Sequence, residues 1–136
     1  MKRLIGVLIA VTMAVSAGFE AVDADRLVQM RDKGVPVIDI RTPGEWESRG
    51  VIEGAKLMMF FDSRGKAHPQ EWLQKLRQIV KSEKDPFIIY CAHANRSKTV
   101  GKWLSQKMGY EKVYELAGGI EYGWIDKGKK VERLKK

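Results

Sequence analysis

The sequence predicts an α/β fold, a parallel sheet with helices on both faces, and two observations carry that prediction. Short apolar runs, at residues 36–40 and 86–90 among others, alternate along the chain with segments whose apolar residues recur at helical spacing. The runs are apolar at consecutive positions rather than at every second one, which is how a strand buried on both faces reads. Strands separated by helices cannot pair as hairpins, so the sheet they build is parallel and covered above and below.

In chain order, the first segment stands apart. Met1-Lys2-Arg3 is followed by an apolar stretch of about 12 residues and then by Ser16-Ala17. A basic start, a short apolar run and small residues make a signal peptide, residues 1–17, cut after Ala17. The run is shorter than the roughly 20 residues a membrane span requires, so no stable span is expected after processing. No cysteine follows it, which excludes a lipoprotein anchor. The expectation is an exported, periplasmic protein. Residues 18–136, 119 in number, then form a single domain.

Phe19-Glu20-Ala21-Val22 reads as a short edge strand. Asp23 is placed to cap a helix with Ala24, Leu27, Val28 and Arg31 on one side, closed by Gly34. The next strand is 36–40, and a further one is expected over 55–60 on hydrophobicity alone. Pro69, suited to a first helical turn, opens a helix whose face is Trp72, Leu73, Leu76, Ile79 and Val80. Strand 86–90 leads into residues 91–97, and behind them Val100, Trp103, Leu104 and Met108 mark a helix that Gly109 can end. Residues 112–116 make the last strand, before Gly118-Gly119 and a short helix through Trp124.

Charge and cysteine content narrow the chemistry. The chain carries a formal +8; without Lys2 and Arg3 its 25 basic residues become 23 against 17 acids, a formal +6. That balance suits small anions. Much of it lies in the tail, 127–136, which reads as a solvated, partly frayed terminus, and no nucleic-acid motif accompanies it. A single cysteine forms no internal disulfide, so stability has to come from the core. A free thiol is also an oxidation hazard outside the cytoplasm, and its presence points to use.

That cysteine, Cys91, lies where a buried strand turns into a helix. Amide N–H groups without helical partners and the positive end of the helix dipole face such a position, and both favour a thiolate and hold anions. A buried cysteine is otherwise a small apolar residue. The polar loop Ala92-His93-Ala94-Asn95 and the following Arg96 favour the functional reading.

Three blocks stand out: Asp39-Ile40-Arg41-Thr42-Pro43-Gly44-Glu45-Trp46 with Gly50-Val51-Ile52-Glu53-Gly54-Ala55, then residues 91–97, then Leu116 through Trp124. Together they resemble the rhodanese-like family of sulfurtransferases. The first is similar to that family's signature Asp-x-Arg-x-x-x-Glu-aromatic and Gly-His-Ile-x-Gly-Ala, the second to its active-site block Cys-x-x-Gly-x-Arg-Ser, and the third to its closing Gly-Gly…Trp block. The blocks span residues 39 to 124. Four residues separate Cys91 from Arg96, whereas Cys-dependent phosphatases and their arsenate-reducing relatives place five there to fit a phosphoryl-sized group. Three positions depart from the pattern: Val51 replaces histidine, Ala94 replaces a loop glycine, and one extra residue precedes Trp124. If position 94 requires a positive φ, alanine is strained there.

The resemblance implies a five-stranded parallel sheet of order 1-5-4-2-3. It implies a covalent reaction in which Cys91 takes a sulfane sulfur from a donor such as thiosulfate and passes it to cyanide or a thiol. The loop 92–97 (Ala92, His93, Ala94, Asn95, Arg96, Ser97) would bind the anionic substrate. Arg96 would either contact the donor or tie the loop down, and His93 would decorate the loop or tune Cys91. Asp39 and Arg41 would brace the domain near the site. No metal or organic cofactor is implied; a partner in sulfur relay is a further possibility, with a passive persulfide carrier as the alternative to an enzyme.

Overall fold

The computed structural model describes residues 18–135, and the expected signal peptide lies outside them. Five strands, β1 (Phe19–Val22), β2 (Val37–Asp39), β3 (Lys56–Leu57), β4 (Phe87–Tyr90) and β5 (Val113–Leu116), form one sheet in the order β1-β5-β4-β2-β3. All of its pairings are parallel. The helices are α1 (Ala24–Asp32), α2 (Pro43–Arg49), α3 (Pro69–Ile79) and α4 (Asn95–Gln106), and a π-helical turn covers Glu121–Ile125.

Local chemistry explains most boundaries. Asp23 caps α1, its carboxylate accepting from the Arg26 amide at 2.8 Å. Pro69 opens α3, whose Trp72, Leu73 and Leu76 are buried. No helix was expected at α2. It is started by a capping box in which Thr42 and Glu45 satisfy each other's backbone amides. The strand expected over 55–60 is reduced to Lys56–Leu57 in register with Ile38 and Asp39. Beyond it the chain keeps only single bonds to the sheet, from Met58 N to Asp39 O and from Phe60 N to Ile40 O.

The sheet divides the core in two. Ile38, Ile40, Phe87, Ile89 and Cys91 point to the face covered by α3 and α4, packing on Trp72, Leu76, Val100 and Leu104. Val37, Ile88, Tyr90 and Leu116 point to the other face, with Leu27 and Met30 of α1, Ile120 and Trp124. The alternation along β4 therefore fixes which face Cys91 serves. The basic tail is more ordered than expected. Glu132 and Val51 exchange backbone hydrogen bonds of 2.8 and 2.9 Å, and Arg133 donates to the Ser48 carbonyl. Among the described residues no helix is long and apolar enough to cross a membrane.

Candidate active site

Cys91 follows β4 directly and is 1% exposed. Its backbone is clamped by the glycine-containing segment after β5: Ile120 N donates to Cys91 O at 2.9 Å and Glu121 N to Ala92 O at 3.0 Å. Gly119, at φ 67°, lies against those carbonyls so closely that a Cβ would run into Ala92 O. That contact is the physical reason for glycine at this place.

The loop enters α4 through Ala94, whose φ of 68° and ψ of 0° are left-handed. It is the one non-glycine residue with positive φ among those described, so alanine does carry the strain expected of it. The turn lets the Ser97 amide donate to Cys91 Sγ at 3.3 Å. The Ser97 hydroxyl lies 3.6 Å from the same sulfur and 2.7 Å from Glu115 Oε2 of β5. Lys98 Nζ is 2.9 Å from the other oxygen of Glu115. Glu115 is buried, and Lys98 is half exposed.

Arg96 does not stand free for a donor. Its two terminal nitrogens each donate to a Glu45 oxygen at 2.7 Å, a bidentate pair joining α4 to α2. Held by Arg96 first, and then by the Thr42 amide and hydroxyl, the Glu45 carboxyl is lowered to about 2 against burial that would raise it. A cleft of about 530 Å³ lies beside this pair, lined by Thr42, Glu45, Phe61, Asp62, Ser63, Gly65 and Arg96.

The remaining expected residues divide. Asn95 is the exposed first residue of α4. His93 is exposed and packs on Tyr122, ring centroids 4.8 Å apart. Asp39 and Arg41 form a fully buried ion pair at 2.8 Å, and Arg41 also donates to Gly50 O at 2.7 Å. They brace the end of β2, where Ile40 N donates to the Tyr90 carbonyl one residue before Cys91. Glu45 and Glu115 were not singled out from the sequence. The Thr42/Glu45 capping-box spacing and a lone carboxylate inside the apolar strand Val113–Leu116 were the signals available.

The sequence model described as the Rhodanese-like domain matches residues 23–126. This chain belongs to the rhodanese-like family. A thiosulfate sulfurtransferase GlpE of Pseudomonas aeruginosa is 28% identical over 104 residues, covering 76% of this chain and 82% of that one. The GlpE of Tolumonas auensis is 43% identical over 51 residues; the match covers 38% of this chain and 44% of that relative's length. Among solved structures, a rhodanese-related protein of Thermoplasma volcanium superposes with a TM-score of 0.63 at 25% identity, covering 85% of this chain and 99% of that one.

Proposed function

We propose that the protein is a thiosulfate-type sulfurtransferase with Cys91 as its nucleophile. The observation that carries this reading is the loop itself. Cys91 and Arg96 are separated by four residues, and the turn at Ala94 directs the amide at the start of α4 onto the sulfur. A hydrogen bond to sulfur from a helix N-terminus favours the thiolate and, after it, an anionic persulfide.

The reaction is a double displacement. The Cys91 thiolate attacks the outer sulfur of thiosulfate, a Cys–S–S bond forms, and the donor's S–S bond breaks with its electron pair leaving on sulfite. Cyanide or a thiolate then attacks the terminal sulfur, and Cys91 leaves as thiolate. One difficult transfer is thereby split in two. The loop amides of residues 92–97 stabilise the persulfide charge as a preorganised nest. Arg96, with both terminal nitrogens on Glu45, acts by fixing the loop.

Cys91→Ser tests this directly, because oxygen forms no persulfide. The wild type is expected to gain one sulfur in its intact mass with thiosulfate and to lose it with cyanide. The variant is expected to keep its circular dichroism spectrum and to gain nothing. Thiosulfate-to-cyanide turnover by a folded Cys91→Ser protein refutes the assignment.

A further inference from the structure

Behind the sulfur stands a buried carboxylate that the mechanism above does not use. Glu115 is 1% exposed, on the face of β5 that meets α4, and the Ser97 hydroxyl stands between it and Cys91. A hydroxyl has one proton to give. At 2.7 Å from Glu115 Oε2 and 3.3 Å from the Ala94 carbonyl, it gives that proton to the carboxylate and is left to accept from the thiol. The same heavy atoms also support the reverse arrangement. Glu115 as a carboxylic acid donates to Ser97 Oγ, whose proton turns to a Cys91 thiolate already held by the Ser97 amide.

We propose that Cys91 and Glu115 share one proton through the Ser97 hydroxyl, so that the site holds one buried negative charge, on sulfur or on carboxylate. The proposal rests on Cys91 being the reactive thiol, and it makes Glu115 a positioning residue that acts through Ser97. In the exchange the Cys91 S–H bond breaks, its proton goes to Ser97 Oγ, and the Ser97 proton goes to Glu115 Oε2. Cys91–SH with Glu115–COO⁻ becomes Cys91–S⁻ with Glu115–COOH. The thiolate attacks the donor as above, and the proton waits on Glu115. When the acceptor removes the sulfur, the regenerated thiolate takes the proton back.

The surrounding charges support one anion better than two. Lys98 of α4 is the cation on Glu115, and its side chain is 53% exposed, so solvent screens it. Arg96 of the same helix lies within Coulombic reach of Cys91, but its fork is occupied by Glu45 of α2. On β2, Asp39 and Arg41 neutralise each other. His93 in the loop is exposed and packs on Tyr122. The flanking strands contribute no charge at this register, since Glu115 lies opposite Ala21 of β1 and Ile89 of β4.

The test is a ¹³C NMR titration of the Cys91 Cβ and the Glu115 carboxyl in the reduced protein. In the wild type both carbons are expected to move at two common pH midpoints, as a coupled pair does. Glu115→Gln should leave Cys91 with a single step in place of two. In Ser97→Ala, Cys91 Cβ should cease to move at the Glu115 midpoint. A loosened loop shifts a midpoint but does not remove a step. If Glu115→Gln does not fold, Cys91→Ser carries the same test from the other side, with the Glu115 carboxyl reduced to one step. Wild-type Cys91 titrating once, with no movement at the Glu115 midpoint, overturns the proposal, as does a Glu115→Gln profile identical to the wild type. Persulfide formation from thiosulfate is measured on the same samples. Shared steps without persulfide refute the sulfurtransferase reading alone, and persulfide without shared steps refutes the proton sharing alone.

Discussion

Asp39 and Glu115 are both buried carboxylates near the C-terminal ends of strands, and the protein holds them in opposite ways. Asp39 is gripped by Arg41 two residues on, through Nε and Nη2, and the guanidinium continues to the Gly50 carbonyl. Both side chains are fully buried and the cation cannot lose its proton. That assembly has one state. Glu115 instead meets a hydroxyl on one oxygen and a half-exposed lysine on the other, with a thiol beyond the hydroxyl. A hydroxyl both accepts and donates, so this assembly has two protonation arrangements on one set of atoms. The fixed pair supports the floor of the site, and the adaptable one stands next to the chemistry.

The fixed pair gives the largest expected effect. Arg41→Met leaves the Asp39 carboxylate buried without its cation, with the backbone amide of residue 41 still donating to it, and is expected to cost about 3–5 kcal/mol, read as a lower urea midpoint at unchanged slope. Converting both residues together, Asp39→Leu with Arg41→Met, should recover most of that loss. If the single variant loses under about 1 kcal/mol, water reaches Asp39 and the contrast with Glu115 disappears.

The sequence made much of this legible because backbone signals are local. Apolar runs, the cap at Asp23, Pro69 and the closing glycines gave the elements and the class of sheet. The spacing of Cys91 and Arg96 gave the loop. Partnerships were hidden, because Glu45 and Arg96 are 51 positions apart and Ser97 and Glu115 are 18 apart. The sequence left Arg96 open between substrate contact and loop clamp, and only the folded chain brings α2 up to occupy it. Strand 55–60 was read too long because its apolar residues pack under the sheet edge rather than extending the ladder: Met58 and Phe60 are core, yet make only single bonds, to Asp39 and Ile40.

The next effect concerns the Glu45–Arg96 clamp, which is more exposed than either of the two carboxylates. The folded carboxyl is lowered to about 2 from 4.5, so the stability it adds is fully present above pH 4.5 and is lost as pH falls through about 2. Both side chains are 30% exposed, and solvent screening limits the contribution to about 1–2 kcal/mol. Glu45→Gln is therefore expected to lose that amount at pH 7 and to show a flatter stability profile than the wild type between pH 4.5 and 2. Its persulfide-forming rate should fall as well, since the loop loses its tie to α2. Parallel profiles for the two proteins across that window contradict the clamp.

The smallest expected effect is at Ala94, where backbone rather than charge is under tension. Three terms act on Ala94→Gly. Relief of the left-handed strain at φ 68° favours the variant by about 1–2 kcal/mol. The greater freedom of glycine in the unfolded chain opposes it by about 0.4–1 kcal/mol. Loss of the methyl group of Ala94, a residue only 8% exposed, opposes it by about 0.8 kcal/mol more. These nearly cancel, and the expected change in stability is under about 1 kcal/mol. The amide on the sulfur belongs to Ser97 and the turn is also held by Lys98 N on Ala94 O at 3.1 Å, so the geometry around Sγ survives the substitution. Thiosulfate turnover should then stay within about threefold of the wild type, because catalysis is sensitive to displacements near 1 Å and none is introduced. A stability change beyond about 2 kcal/mol in either direction, from urea unfolding, would show that one of the three terms is misjudged. A turnover change beyond tenfold at unchanged stability would show that the alanine methyl shapes the sulfur site itself.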